Sequence, residues 1–347
     1  MIKEINIETF LEYSKEIPIV DVRSAGEYNQ GHIVDAINIP LFDNEERAKI
    51  GTLYKKKGSK EAVSLGLEIG GKKIRQLADE GLRVAKNEKL LIHCWRGGMR
   101  SESIGWVFEK VGISCFLLKN GYKSYRNYIR DYFSKDFHFC VLGGLTGSGK
   151  TEILVEFEKS GYQVIHLENI ANHKGSVFGS LGELPQNSNE QFENDLFAAL
   201  YLLNPSKTIW IEDESRNIGR NVIPSTFFET MSKSPLIIIE IEKNLRINKL
   251  VEEYGKYPKD DLIGCLNKIS RRLGGLNTKN AIESLNNQNP EKTANIVLDY
   301  YDKTYRYSVT RKHRSIVLYA KSHTINPMEN ATLIKSSVLE NKLSCSK

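Results

Sequence analysis

Residues 144–151, Gly144-Leu-Thr-Gly-Ser-Gly-Lys150-Thr151, constrain the fold of this 347-residue chain more than any other stretch. They spell G-x-x-x-x-G-K-T, a pattern that carries meaning only where a strand feeds the loop and a helix leaves it. Both flanks are present: Phe137 to Leu142 is an apolar run of strand length, and an amphipathic helical pattern follows Thr151. Such a loop lets backbone N–H groups approach phosphate oxygens. Gly144, Gly147, Ser148 and Gly149 are placed to form the cradle, Lys150 offers a point charge, and the Thr151 hydroxyl can ligate magnesium. An α/β domain around this loop is therefore required.

A second elbow lies earlier, at Leu90 to Ser101. Leu90, Leu91 and Ile92 read as a buried strand, and Ile104, Val107, Phe108 and Val111 read as the apolar face of a helix, so Cys94 falls at the turn between them. Loop N–H groups and the helix dipole then favour an anion and a thiolate. Arg96 and Arg100 add cationic charge, while Gly97, Gly98 and Ser101 complete a phosphate-sized cradle. A buried structural cysteine is the plainer reading, and the flanking glycines and arginines argue against it.

Composition bounds the rest. The length suits two domains with separate cores, placed at residues 1–134 and 135–347. Apolar and charged fractions of 40% and 27% are those of an ordinary globular protein. The N-terminus mixes acids with apolar residues, and no apolar run approaches membrane-spanning length, so a cytoplasmic protein with no membrane partner is expected. Cys94, Cys115, Cys140, Cys265 and Cys345 are widely spaced and include no C-x-x-C pair, which argues against a disulfide framework and a zinc site. The net charge of +6 is compatible with a polyanionic partner if the charge is clustered.

Several features leave more than one reading. The segment Glu45 to Lys86 is helical, basic around Tyr54-Lys-Lys-Lys-Gly58, and longer than a crossover needs. Gly121-Tyr-Lys-Ser-Tyr-Arg126 opens a helix whose tyrosines belong either to the core or to an RNA-facing surface with Lys123 and Arg126. Arg271, Arg272, Arg311 and Arg314 are further basic groups, solvated singly or an RNA footprint together. The strand Thr208 to Ile211 ends in Glu212-Asp213-Glu214-Ser215-Arg216, where Asp213 or Glu212 is placed to hold magnesium with Thr151, or to cap the next turn.

Pro18-Ile-Val-Asp-Val-Arg23, the helix start at Glu27-Tyr28, Gly31-His-Ile33 and Ala36-Ile-Asn-Ile-Pro40, followed by the cysteine loop, resemble the rhodanese domain. That family usually has proline and glycine where this chain has Val34 and Asp35. A rhodanese-like parallel-sheet domain followed by a P-loop NTPase-like α/β domain is similar to the tRNA 2-selenouridine synthase family. The likeness rests on Cys94 to Ser101, Gly121 to Arg126, the phosphate loop, Ala171 to Gly179, Glu183-Leu-Pro-Gln186, Glu212 to Arg216 and Leu273-Gly-Gly275. Lys174 stands where arginine is more usual, keeping charge but losing bidentate phosphate binding.

The resemblance implies replacement of sulfur by selenium in the wobble 2-thiouridine of tRNA, with selenophosphate as donor, and geranyl transfer from geranyl diphosphate as an activating step. It implies tRNA and a selenophosphate-producing enzyme as partners and no tightly bound cofactor, with magnesium expected at the phosphate loop from the motif itself. Cys94 then serves as nucleophile with Arg96 and Arg100, and Gly66, in the long helical segment, helps house the prenyl chain. Two rivals use the same residues. His93, Cys94 and Arg100 satisfy the H-C-x5-R signature of cysteine phosphatases, and a rhodanese-type sulfurtransferase coupled to an NTPase would also use both loops.

Overall fold

Strand β4, Lys89–His93, is apolar at Leu90, Leu91 and Ile92 because both of its faces are covered there. It lies at the centre of a parallel sheet with β1 (Ile2–Ile5), β2 (Ile19–Asp21), β3 (Ile37–Asn38) and β5 (Ser114–Leu118), in the order β1-β5-β4-β2-β3. The computed structural model describes residues 2–311 and 317–341. These strands belong to the first of two compact units, Met1–Tyr132 with Glu193–Asp195; the second comprises Phe133–Phe192 and Leu196–Lys347.

In the first unit Val20, Leu90, Ile92, Ile104, Val107 and Phe108 share one core. The helix after the cysteine loop runs Met99–Lys110, and Val111, expected on its apolar face, instead caps it and is 36% exposed. Residues 45–86 form three helices, Asn44–Lys57, Ser59–Gly71 and Ile74–Val84. Lys55, Lys56 and Lys57 occupy the last turn of the first, where cations complement the helix dipole, and Gly58 at φ 98° turns the chain into the second. Asp35, which replaces a glycine of the rhodanese pattern, takes φ 64°, a conformation aspartate tolerates better than most residues.

The second unit is also built on a parallel five-stranded sheet. Its strands are β6 (Phe139–Gly144), β7 (Gln163–Ile165), β8 (Ile209–Glu212), β11 (Leu236–Ile241) and β12 (Val317–Ser322), with a two-strand ribbon, β9 (Asn217–Ile218) and β10 (Asn221–Val222), after β8. The order is β12-β11-β6-β8-β7, with every pairing in this sheet parallel. Strand β6 therefore delivers the phosphate loop from the middle of the sheet, at the carboxyl ends where ligands of open α/β sheets bind. A separate apolar cluster, including Leu262, Leu266, Ile269, Leu285 and Val297, is formed by the helices Lys259–Leu273, Gly275–Asn286 and Pro290–Arg311. No helix among the described residues is long and apolar enough to cross a membrane.

Candidate functional site

Cys94 follows β4 directly and is 3% exposed. Its sulfur lies 3.3 Å from Ser101 Oγ and accepts from the Gly98 N–H at 3.4 Å. Burial by itself would raise the thiol pKa, but the Ser101 hydroxyl, the Gly98 amide and the charge of Arg100 together bring it below the ordinary value. The Ser101 hydroxyl also reaches Gly98 O at 2.9 Å. It has one proton, so ionisation of Cys94 draws that proton to sulfur and strengthens the hold on the thiolate.

The loop is shaped from behind. Tyr122 N–H donates to Cys94 O at 2.8 Å and Lys123 N–H to Trp95 O at 3.0 Å, so the first turn of the helix Gly121–Tyr132 caps the loop's carbonyls. Gly121 sits at φ 58°, and a Cβ there would lie 2.4 Å from both Cys94 O and Gly97 N. No other residue fits. Beneath Tyr122, Arg23 lies 3.8 Å from the ring centroid and donates to Asp21 Oδ2 at 2.6 Å, both residues being buried. His93 is wholly buried, with Nε2 3.7 Å from Asp21 Oδ2. Burial pushes its pKa down to about 4 against the pull of Asp21, so the ring is neutral at pH 7.

In the second unit the phosphate loop opens into a cleft lined by Lys174, Gly175, Ser176, Asp213 and Glu214. Gly149 takes φ 74° as it caps the helix Lys150–Lys159. Thr151 Oγ1 is 3.0 Å from both Glu168 Oε2 and Glu212 Oε1. Burial and the neighbouring Glu168 raise Glu212 to about 7, and Glu168 and Glu214 are raised by burial as well. Burial would lower Lys150, but Glu168, Glu214, Glu212 and Asp213 outweigh it and keep the ammonium charged. A pocket with this excess of carboxylate calls for further positive charge.

Of the two carboxylates expected to hold magnesium with Thr151, Asp213 meets Tyr305 and Glu212 meets Thr151 itself. Asp213 Oδ2 accepts from Tyr305 OH at 2.9 Å, and the same hydroxyl accepts from Gly144 N–H at 3.1 Å. Glu212, the alternative, is the carboxylate beside Thr151. Among the described residues no group of three or more histidine, cysteine or acidic side chains is arranged to hold a metal. Thr151 with Glu212 or Glu168 suits a hard cation that keeps water and phosphate oxygens as its remaining ligands.

Residues 8–128 match the family model for the rhodanese-like domain, and residues 137–333 match that for the tRNA 2-selenouridine synthase AAA domain. A tRNA 2-selenouridine synthase of Shewanella frigidimarina is 31% identical over 346 residues, covering 89% of this chain and 93% of the relative. That of Nitrosomonas eutropha is 34% identical over 284 residues, covering 79% and 71%. The chain belongs to the tRNA 2-selenouridine synthase family. A solved structure described as the N-terminal domain of a putative ATP/GTP binding protein from Clostridium difficile 630 is 39% identical to 37% of this chain, with a TM-score of 0.35.

Several of the motifs that carry the synthase likeness lie at the two loops. Gly121-Tyr-Lys backs the cysteine; Lys174, Gly175 and Glu214 wall the phosphate cleft; Gln186 Nε2 ties Ala171 O at 2.8 Å to Ile218 O at 3.0 Å. The arginine pair expected at the synthase cysteine is arranged differently. Arg100 Nη1 donates to Glu27 Oε2 at 2.8 Å, and Arg96 is exposed, so Arg100 acts on the thiol through its field. Glu27 is held there by its capping box with Ser24, a partner that no spacing rule connects to residue 100.

The RNA-binding residues separate into two kinds. Lys123, Arg271 and Arg272 are exposed. Arg126 is buried, with its guanidinium taken up by Glu193 and Asn194, so it is removed from the RNA-facing set. Arg311 ends the helix Pro290–Arg311, while Arg314 and Cys345 lie outside the described residues. Gly66 faces Phe42 and Ile50 within the first unit: a Cβ there would meet Phe42 Cζ at 3.4 Å. Tyr305, which precedes the basic cluster at 311–314 in the sequence, has a place at the phosphate loop that no motif announces. Its signal is only tertiary, since 161 residues separate it from Gly144.

Proposed function

We propose that this chain replaces sulfur by selenium at C2 of a 2-thiouridine in the wobble position of tRNA, with selenophosphate as donor and a geranylated sulfur as the leaving group. The observation that carries the reading is the Cys94 thiol, lowered in pKa inside an anion-sized loop by Ser101, Gly98 and Arg100. A thiolate so held can attack the donor's phosphorus, forming a sulfur–phosphorus bond as the phosphorus–selenium bond breaks and selenide leaves as the nucleophile that displaces the geranylated sulfur from C2. The exposed Arg96 beside the thiol is the group available to the donor's phosphoryl oxygens.

The phosphate loop serves the other half-reaction. Geranylation turns a poor thiocarbonyl leaving group into a better one, and transfer requires a departing diphosphate to be neutralised. Lys150, the Thr151 hydroxyl and the loop amides supply that charge and those donors. Magnesium, held by Thr151 with Glu212 or Glu168, adds charge neutralisation when bound. The phosphatase reading is disfavoured by Arg100, whose guanidinium is engaged by Glu27.

Purified protein incubated with thiolated tRNA, selenophosphate and geranyl diphosphate, followed by nucleoside mass analysis, tests this directly. The expected products are 2-selenouridine when both donors are present and S-geranyl-2-thiouridine when selenophosphate is omitted. Unaltered 2-thiouridine under every donor combination overturns the reading, and a sulfur-only adduct on Cys94 favours the sulfurtransferase.

A further inference from the structure

Beside the phosphate cleft the second unit holds another, partly open cavity of about 80 Å³, whose walls are almost wholly hydrocarbon. Phe178, Leu250, Leu285, Ala294 and Val297 are among its lining residues. Thr146, Ser176, Leu250, Tyr254 and Tyr301 line both this cavity and the phosphate cleft, so the two spaces adjoin at the loop itself. The same two helices build the wall and fix the loop. Lys243–Tyr254 carries Leu250 and Tyr254, Pro290–Arg311 carries Ala294, Val297 and Tyr301, and Arg246 on the first pairs with Asp302 on the second at 2.7 Å. Arg246 Nη1 also donates to Thr146 O at 3.1 Å, so loop and cavity wall are held in one frame.

An occupant must satisfy both spaces at once: phosphate at the loop, hydrocarbon beyond Thr146. A nucleoside does not, because its ring nitrogens and ribose hydroxyls would go unpaired against such walls. Tyr301, one of the few polar side chains lining it, already accepts the Val177 N–H at 3.0 Å. We infer that the apolar cavity adjoining the phosphate loop seats the hydrocarbon chain of an aliphatic diphosphate whose diphosphate lies on residues 144–151. The inference rests on the geranyl-transfer half of the proposed function. It moves the prenyl chain from the neighbourhood of Gly66, in the first unit, to the helical wall of the second.

Calorimetric titration of the full-length protein with magnesium and inorganic diphosphate, dimethylallyl diphosphate or geranyl diphosphate tests the seat without tRNA. Affinity is expected to rise with chain length, with geranyl diphosphate at least tenfold tighter than inorganic diphosphate. Ala294→Trp, which fills the cavity, is expected to erase that gain while leaving inorganic diphosphate binding unchanged; Ala294→Leu serves if the tryptophan variant does not fold. Equal affinities across the series, no binding of any diphosphate, or a gain that survives both substitutions overturns the inference. Chain-length-dependent binding without turnover of thiolated tRNA would sink the proposed function and leave the seat standing; turnover with a flat series would do the reverse.

Discussion

Ser101 and Cys94 illustrate how little at residue scale sets the chemistry. Removing the hydroxyl in Ser101→Ala takes away the largest influence lowering the thiol pKa and leaves burial, which raises it. The pH profile of alkylation of Cys94 is therefore expected to move upward, with slower modification at pH 7; an unmoved profile would contradict the account. His93 gives an independent pH signature. Its folded pKa of about 4 lies below the 6.5 of an unfolded histidine, so the unfolded chain binds more protons between those values. Stability should accordingly be complete above pH 6.5 and fall by up to about 3 kcal/mol as pH drops toward 4. His93→Phe keeps a ring between Phe10 and Tyr122 and should flatten that acid slope in melting curves. The H-C-x5-R pattern was readable in the chain, but the pairing of Arg100 with Glu27 was not, because 73 residues separate the partners.

At the scale of elements, the first turn of the helix Gly121–Tyr132 buttresses the cysteine loop, while Lys123 in the same turn is exposed. Gly121→Ala places a Cβ 2.4 Å from Cys94 O in a left-handed conformation, a strain of roughly 1–3 kcal/mol. Loss of the lowered thiol pKa is expected in that variant, together with a reduced melting temperature; a variant alkylated like the wild type would refute the buttress. The tyrosine–basic alternation hid this role. Tyr122 and Arg126 are buried and Lys123 is exposed, so three neighbouring positions of one motif serve three purposes that a helical pattern cannot separate. Strands were easier to find than their ends: the run predicted over Phe137 to Leu142 is β6, Phe139–Gly144, shifted because Gly143 and Gly144 continue the ladder against Ile238 and Ile239. Glycines lower strand propensity, and neighbouring-strand pairing overrides it here.

Across the whole molecule, each unit repeats one physical solution: a central parallel strand, a glycine-containing turn at its carboxyl end, and a helix that starts from that turn. Both loops were visible in the sequence because their motifs are local. The carboxylates around Thr151, the buttress behind Cys94 and the apolar cavity were not, since each is assembled from segments far apart in the chain. The division of labour between the loops is the central claim, and nucleoside mass analysis of Cys94→Ser and Lys150→Ala, both supplied with thiolated tRNA, selenophosphate and geranyl diphosphate, tests it most directly. The account predicts that Cys94→Ser accumulates S-geranyl-2-thiouridine and forms no 2-selenouridine, whereas Lys150→Ala forms no geranylated nucleoside. Formation of 2-selenouridine by Cys94→Ser, or undiminished geranylation by Lys150→Ala, would contradict it.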